Sequence, residues 1–239
     1  MNTAKNVLKT LEKYIQEEKR DIFSKFFKTG KGEYGEGDIF WGITVPDIRN
    51  TAKIYFKNLS FSEIEKLVHS PIHEVRLTGY IILTYKYEKG DRREKEEIVS
   101  FYLSNLNGVN NWDIVDLSCY KILGDSIAKG IKKKDILYTL VKSKDIWKRR
   151  IAVVSTYAMI KKDMYEDTLK ISSILLEDNR DLIQKAVGWM LREVGKRDIE
   201  VLRGFLNENM KKMGRTTLRY AIEKMDEKER KRYLICSKL

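Results

Sequence analysis

Residues 148 to 157 read KRRIAVVSTY, a basic run that leads into an apolar segment with the small residue Ala152 at its centre. A small residue in the middle of a helix-like segment recurs in four other places: EVRLTGYIIL (74–83), DIVDLSCYKI (113–122), LIQKAVGWML (182–191) and LRYAIEKM (218–225). Their small residues, 34 to 39 positions apart, are Gly79, Ser118, Ala152, Ala186 and Ala221. A recurrence at this spacing indicates a repeated structural unit.

The unit is helical, because apolar residues recur at three- and four-residue spacing and alternating strand patterns are absent. Shorter helices are predicted at VLKTLEKYI (7–15), SEIEKLVHS (62–70), REKEEIVSFYLSNL (93–106) and TLKISSILLE (168–177). The spacing of Ser60 and Glu63 predicts a capping box at one helix start. A short helix, a polar turn and a longer helix therefore form each repeat.

Paired helices that repeat in this way predict an all-α fold, an α-solenoid in which each hairpin buries its apolar face by stacking on the next. We expect one curved domain over residues 1–239, with N-terminal helices and a glycine-rich loop in 1–59 and repeats in 60–239. The period, together with Arg149 and Ala152 in an Arg-x-x-Ala pattern, resembles HEAT repeats. The small residues would let neighbouring hairpins approach. An ordinary multi-helix bundle is the alternative.

Charge and composition limit the classes of function that this protein could have. The net charge is +12, and Lys and Arg outnumber Asp and Glu by three in residues 1–139 and by nine in residues 140–239. A basic excess of this kind suits a polyanion such as nucleic acid, although surface lysines that maintain solubility are an alternative. No apolar run is long enough to cross a bilayer, so we expect a cytoplasmic protein without a membrane partner. The two cysteines lack the spacing of a zinc site or a disulfide framework.

The repeat frame predicts which side chains share a surface. One set of positions lies two residues before each small residue, and a second set lies one helical turn before the first. Equivalent helices should present both sets on one concave, basic face. From the second long helix onward these positions hold Trp112, Asp116, Arg150, Arg180, Gln184, Arg215 and Arg219. Guanidinium groups beside one acid and one aromatic ring would hold a phosphate backbone, with the acid where a cation must sit. An ion pair between Asp116 and Arg150 is the alternative.

Four segments resemble those of a known family: FFKTGKGEYGEGDIFWGITVPDIRN (26–50), NNWDIVD (110–116), DIWKRRIAV (145–153) and QKAVGWMLREVGKR (184–197). They are similar to the AlkD-type alkylpurine DNA glycosylases, bacterial and archaeal DNA repair enzymes that are built from HEAT-like repeats. The Trp-x-x-x-Asp pair at Trp112 and Asp116 is the most specific element. The sequence departs from many members at Asn111, where they have Trp, and at Thr44, where the best-known members have a DNA-facing glutamine.

The resemblance implies the roles of individual residues. Asp116, Trp112 and Trp189 would be catalytic, and Arg150 would grip a flanking phosphate. The partner would be double-stranded DNA that contains alkylated purines, bound by a monomer in the nucleoid without a cofactor or a metal. The residues expected to contact DNA are Thr44, Lys148, Arg149, Arg150, Arg180, Gln184, Lys185, Arg215 and Arg219. Core packing is the alternative for Trp189, and a noncatalytic module that binds DNA or protein is the alternative for the chain.

The chemistry that the family implies needs few groups. A purine alkylated at N3 or N7 is cationic, so the base leaves without protonation and an oxocarbenium-like sugar remains. Asp116 would stabilise that sugar and orient water, while Trp112 and Trp189 contact it. The resemblance also implies that the damaged base is excised without deep flipping, unlike in most glycosylases.

Two other motifs carry less weight. GKGEYG (30–35) matches a dinucleotide-binding pattern, but a helical segment precedes it where a strand is required, and acidic residues follow. We interpret it as a flexible loop near DNA. His69 and His73 have the spacing of metal ligands, but Pro71 lies between them and no third ligand is near in sequence, so no metal is expected.

Overall fold

The structure, a computed structural model, describes residues 2–236. It contains two compact units, whose boundary falls between Ile122 and Leu123. Within the described residues the regular structure is helical, and the β pairing is limited to one isolated parallel bridge between Ile39 and Ile72. The predicted all-α class is confirmed, whereas the single curved domain and its concave face stay predictions. None of the helices in the described range has the length and apolar character needed to span a membrane.

The first unit begins with two short helices, continues through an irregular segment between Phe27 and Thr44, and then consists of helices joined by short connections. Its α-helices are α1 (Ala4–Leu11), α2 (Glu17–Phe26), α3 (Val45–Tyr55), α4 (Phe61–Val68), α5 (His73–Lys89), α6 (Arg92–Ser104) and α7 (Trp112–Cys119). Turns of 3-10 helix lie at Glu12–Tyr14 and Leu106–Gly108. A π-helical segment, Tyr120–Gly124, follows α7.

The helices of the second unit differ in length. They are α8 (Asp125–Ala128), α9 (Asp135–Val141), α10 (Ile146–Ser155), α11 (Tyr157–Ile160), α12 (Glu166–Leu175), α13 (Asp181–Arg197), α14 (Ile199–Asn209), α15 (Arg215–Ala221) and α16 (Glu227–Cys236). The longest, α13, packs against α10, α12, α14 and α15, which explains why eight of its residues are buried. The last hairpin of this unit reverses the predicted order, because α14 has 11 residues and the following α15 has 7.

The predicted repeat register is found at the helix starts. His73, Trp112, Ile146 and Arg215 are the first residues of α5, α7, α10 and α15, and Arg180 immediately precedes α13. Residues at the start of a helix have backbone N–H groups without an intrahelical partner. The positions selected from the repeat are therefore equivalent in local structure.

The predicted capping box at Ser60 forms only in part. Ser60 accepts a hydrogen bond from the backbone N–H of Glu63, as expected. The carboxylate of Glu63 does not return to Ser60; Oε2 accepts the backbone N–H of Ala4 at 2.7 Å and Oε1 pairs with Lys66. A reciprocal box forms instead at Asp91 and Glu94, before α6. At α4 the long-range contact with α1 replaces the local one.

In the first unit the small repeat residues pack within a hairpin, which corrects the expectation that they let neighbouring hairpins approach. A Cβ atom on Gly79 would lie 2.7 Å from Val68 Cγ1, so α5 can approach α4 only with glycine here. Ser118 of α7 is 3.1 Å from the hydroxyl of Tyr102 on α6. Both contacts join the two helices of one repeat.

Candidate nucleic-acid interface

Helix α7 begins at Trp112 because the residues before it favour a helix start. Asn111 is buried and extended, and its side-chain oxygen accepts the N–H of Trp112 at 2.8 Å. Asp113 supplies a negative charge in the first turn, where the helix dipole favours it. Ile114, Val115, Ser118 and Cys119 are buried on one side of the helix.

The opposite side of α7 is only partly buried, and it contains the predicted pair. Trp112 and Asp116 are four residues apart and both are half-exposed. Residues at this spacing lie on the same face of a helix, one turn apart. The first unit thus presents an indole and a carboxylate on one partly exposed face.

A stack of aromatic rings supports Trp112 from within the first unit. The indole stacks on Phe27 at a centroid distance of 5.4 Å and an angle of 20°, and the ring of Phe26 meets it edge-on at 5.9 Å. Phe27 stacks in turn on Phe40, and Phe40 stacks on His73 at 4.6 Å. Aromatic pairs of this kind stabilise by about 0.5 to 1.5 kcal/mol each beyond their buried area. The orientation of Trp112 is therefore set by rings from the end of α2 and from the segment that follows it, and His73 of α5 supports those rings.

A charged network lies behind this stack, and the sequence did not reveal it. His73 is 1% exposed; its Nε2 lies 2.8 Å from Asp113 Oδ2 and its Nδ1 lies 3.3 Å from Asp38 Oδ2. Burial alone lowers the pKa of His73, but the two carboxylates outweigh it and raise the pKa to about 9. Burial raises the pKa of Asp38, but the hydrogen bond to His73 and the charge of Arg76 outweigh burial and hold this pKa below its usual value.

The loop that supplies Asp38 and Phe40 is fixed by α5. One carboxylate oxygen of Glu74 accepts the backbone N–H groups of Trp41, Gly42 and Ile43 at 2.8 to 3.2 Å. Gly42 has φ +78°, and a Cβ atom there would lie 2.1 Å from the carbonyl oxygen of Gln16. Residues 41–43, which follow the predicted flexible loop at 30–35, are thus hydrogen-bonded to a buried side chain.

Two of the predicted DNA-binding arginines meet in the second unit. Arg149 Nη1 lies 3.0 Å from Asp178 Oδ2, and Arg180 donates to both oxygens of the same carboxylate. The side chain of Arg180 is 38% exposed and that of Arg149 is 16% exposed. Two guanidinium groups and one carboxylate leave a local excess of positive charge beside the start of α13.

Arg150 lies in a different environment from the other predicted phosphate contacts. It is 5% exposed, and its Nη1 donates to the backbone carbonyl of Leu182. A guanidinium buried in this way cannot receive a phosphate without rearrangement. The geometry favours a structural role for Arg150 inside the second unit over the direct phosphate contact that the resemblance implied.

The remaining predicted residues of the second unit are more accessible. Trp189 on α13 is half-buried and contacts the ring of Tyr157 at 6.0 Å, so it is neither fully in the core nor fully exposed. Lys185 pairs with Asp181 at 2.7 Å. Lys148 and Gln184 are half-buried, whereas Arg215 and Arg219 are exposed.

Sequence comparison identifies the family. A sequence model of the DNA alkylation repair enzyme family matches residues 7–225. The chain belongs to this family. No curated protein sequence gives a significant match.

Two solved structures resemble this family member in fold. A protein described as a predicted DNA alkylation repair enzyme from Enterococcus faecalis superposes with a TM-score of 0.71 at 18% identity, over 89% of this chain and 97% of that one. AlkD2 from Streptococcus mutans gives a TM-score of 0.55 at 19% identity, over 86% of this chain and 97% of that one. At these identities the likeness concerns the fold, which is that of the helical repeat proteins of alkylation repair.

The two histidines that have the spacing of metal ligands have separate partners in this member of the family. His69 Nε2 lies 2.7 Å from Asn105 Oδ1, and His73 lies between Asp38 and Asp113, so the two histidines do not converge. Among the residues that the structure describes, no cluster of three or more His, Cys, Asp or Glu side chains could hold a metal ion.

Thr44, one of the predicted DNA contacts, donates its hydroxyl to Asp47 at 2.5 Å before α3.

Proposed function

We propose that this family member is a monofunctional DNA glycosylase that hydrolyses the N-glycosidic bond of cationic N3- or N7-alkylated purines in double-stranded DNA. The observation that carries the proposal is the pair Trp112 and Asp116, one turn apart on the partly exposed side of α7, in a chain of the DNA alkylation repair enzyme family. A carboxylate beside an aromatic face is the minimum set for stabilising a developing sugar cation.

The alkylated base supplies most of the driving force. Its positive charge lets the C1′–N9 bond break with the electron pair passing to the base, which leaves as a neutral molecule. The sugar acquires oxocarbenium character. Asp116 offers the negative charge that this species needs, and a fixed charge costs no reorganisation when the bond breaks.

Water completes the reaction. The water oxygen bonds to C1′, and one of the water protons is lost to solvent. Asp116 orients this water by accepting a hydrogen bond from it. The indole of Trp112 contributes cation–π attraction, about 0.5 to 2 kcal/mol in such settings. Phe27 supports one face of that ring, so the ring need not be ordered when DNA binds. We assign a similar sugar contact to Trp189.

DNA binding itself is assigned to the basic side chains. Arg149 and Arg180, oriented by Asp178, are the best placed, because their guanidinium groups are already fixed and remain partly exposed. Further backbone contacts are assigned to Thr44, Lys148, Gln184, Lys185, Arg215 and Arg219. Phosphate contacts position the duplex without reading its sequence, as a lesion-specific enzyme requires. We further propose that excision proceeds without deep base flipping.

The direct test is release of free base. Purified protein is incubated with a duplex that contains a single N7-methylguanine, and the free base is measured by mass spectrometry against spontaneous depurination of the same duplex. We expect release well above the spontaneous rate. Tight DNA binding with release at the spontaneous rate would instead identify a noncatalytic DNA-binding module.

A further inference from the structure

His73 is a buried histidine whose two ring nitrogens both face carboxylates. Nε2 is 2.8 Å from Asp113 and Nδ1 is 3.3 Å from Asp38. A neutral imidazole has one N–H and can donate only once, whereas an imidazolium donates from both nitrogens. Two ionised partners are therefore satisfied together only when the ring is protonated.

The charges around His73 balance in that state. Arg76 donates to Asp38 at 2.5 Å, so the cluster contains two carboxylates, one guanidinium and one imidazolium. Asn110 and Asn111 donate to the remaining lone pairs of Asp38, each at 3.1 Å. Loss of the proton from His73 would leave a net negative charge in a buried cluster, which is strongly unfavourable.

The cluster connects three parts of the first unit. Asp38 belongs to the irregular segment, and His73 and Arg76 belong to α5. Asp113 belongs to α7; its second oxygen, Oδ1, accepts the N–H of Ile114 at 2.8 Å and so reaches into the first turn. The segment is also tied to α5 through the backbone, because His73 N–H donates to the carbonyl of Ile39 at 2.9 Å.

The same histidine also supports the rings beside Trp112. Its imidazole stacks on Phe40 at 4.6 Å and lies 5.0 Å from the ring of Phe27, which carries the indole of Trp112. His73 thus supports Trp112 in two ways. It pairs with Asp113, which follows Trp112 in the chain, and it contacts the aromatic rings that stack beneath the indole.

We propose that His73 is a positioning residue: the bridge from Asp38 through His73 to Asp113 fixes the first turn of α7 and so sets the orientation of Trp112 and Asp116. The catalytic consequence rests on the proposed glycosylase function. The structural consequence does not, because the environment of Trp112 can be measured in the absence of DNA.

The structural test uses fluorine NMR of the whole protein labelled with 5-fluorotryptophan. The chain has four tryptophans, and the Trp112 resonance is assigned by its loss in Trp112→Phe. A titration from pH 6 to 10.5 should shift the Trp112 resonance in the wild type with a midpoint near 9, the raised pKa of His73. In His73→Gln that transition should vanish.

The chain offers a matched control, because it has only two histidines. His69→Gln removes the other one, which contacts Asn105 and no carboxylate that faces α7. It should keep the wild-type transition. A Trp112 resonance that does not respond to pH in the wild type, or responds equally in His73→Gln, would overturn the proposal even if His73→Gln proves too unstable for kinetics.

The catalytic test measures base release at pH 7. We expect His73→Gln to lower single-turnover excision about tenfold or more, with the DNA dissociation constant changed less than about twofold, since oriented catalytic groups act in the transition state. The double variant His73→Gln with Asp113→Asn should recover part of the rate, because a neutral pair replaces an unbalanced charge. Wild-type rates in His73→Gln would refute the catalytic role. Absence of base release from the wild type itself would refute the glycosylase proposal, while the NMR titration would still decide the positioning.

Discussion

Asp178 holds Arg180 by two parallel hydrogen bonds, from Nε and Nη2 at 2.9 and 2.8 Å, and the same carboxylate contacts Arg149. Burial raises the pKa of Asp178, an effect that the charge of Arg149 opposes. Bidentate pairing of this kind fixes the plane of a guanidinium. One buried carboxylate therefore orients two arginines that we assign to DNA binding.

This arrangement predicts that Asp178→Asn weakens DNA binding although it adds positive charge. The arginines would lose their fixed orientation, and we expect the dissociation constant to rise roughly fivefold, or about 1 kcal/mol. Fluorescence anisotropy with an undamaged duplex measures the change. Glu208→Gln is the control, because it adds the same charge at an exposed residue of α14 that we do not assign to DNA binding. Tighter binding by both variants would show that net charge, not orientation, governs affinity.

The carboxylate chemistry predicts that Asp116→Asn abolishes most base release. The substitution removes the charge but little volume, so single-turnover excision should fall about 100-fold or more while DNA affinity stays near the wild-type value. Glu65→Gln, an exposed carboxylate-to-amide change on α4, should have no effect. Wild-type excision by Asp116→Asn would rule out this assignment.

Burial of Arg150 predicts a larger effect on stability than on binding. Arg150→Ala removes a guanidinium that donates to the carbonyl of Leu182, and we expect the free energy of unfolding in urea to fall by about 2 kcal/mol or more. The salt dependence of DNA binding should keep its slope. A slope reduced by about one unit, with unchanged stability, would restore the direct phosphate contact that the resemblance implied.

The sequence predicted the fold class and the repeat register because both depend on local patterns. Apolar periodicity located α4, α6 and α12, and the small residues located α5, α7, α10, α13 and α15. It did not predict the capping of α4, where Glu63 binds Ala4, since a contact between residues 59 positions apart leaves no local pattern.

The candidate site was predictable only in part, for the same reason. Trp112 and Asp116 are four residues apart, so one helix carries the relationship. His73, Asp38 and Asp113 come from three separate segments, and each alone is an ordinary polar residue. The repeat frame did place His73 in the position of Trp112, but that equivalence gave no indication of two carboxylate partners. The burial of Arg150 likewise depends on packing that spacing does not describe.

The pKa of His73 predicts how stability depends on pH. The folded pKa of about 9 exceeds the unfolded value of roughly 6.5, so the stabilisation is fully present below about pH 6.5 and is lost as pH rises through about 9. The shift corresponds to a loss on the order of 3 kcal/mol. Urea unfolding at pH 6 and pH 10 should show this loss in the wild type and in His69→Gln, but not in His73→Gln. An equal loss in all three would assign the pH dependence to other groups.

Selectivity among damaged bases tests the mechanism as a whole. Asp116 and the indole rings stabilise an electron-poor sugar, and none of the groups that we assign to the site would protonate a departing base. A neutral base leaves poorly without protonation, because the electron pair of the broken bond would make it an anion. We therefore expect release of N3-methyladenine or N7-methylguanine, and release of uracil or 8-oxoguanine at the spontaneous rate, from duplexes that are otherwise identical. Efficient excision of uracil would require a general acid that activates the leaving group, and the mechanism built on Asp116 would then have to be abandoned.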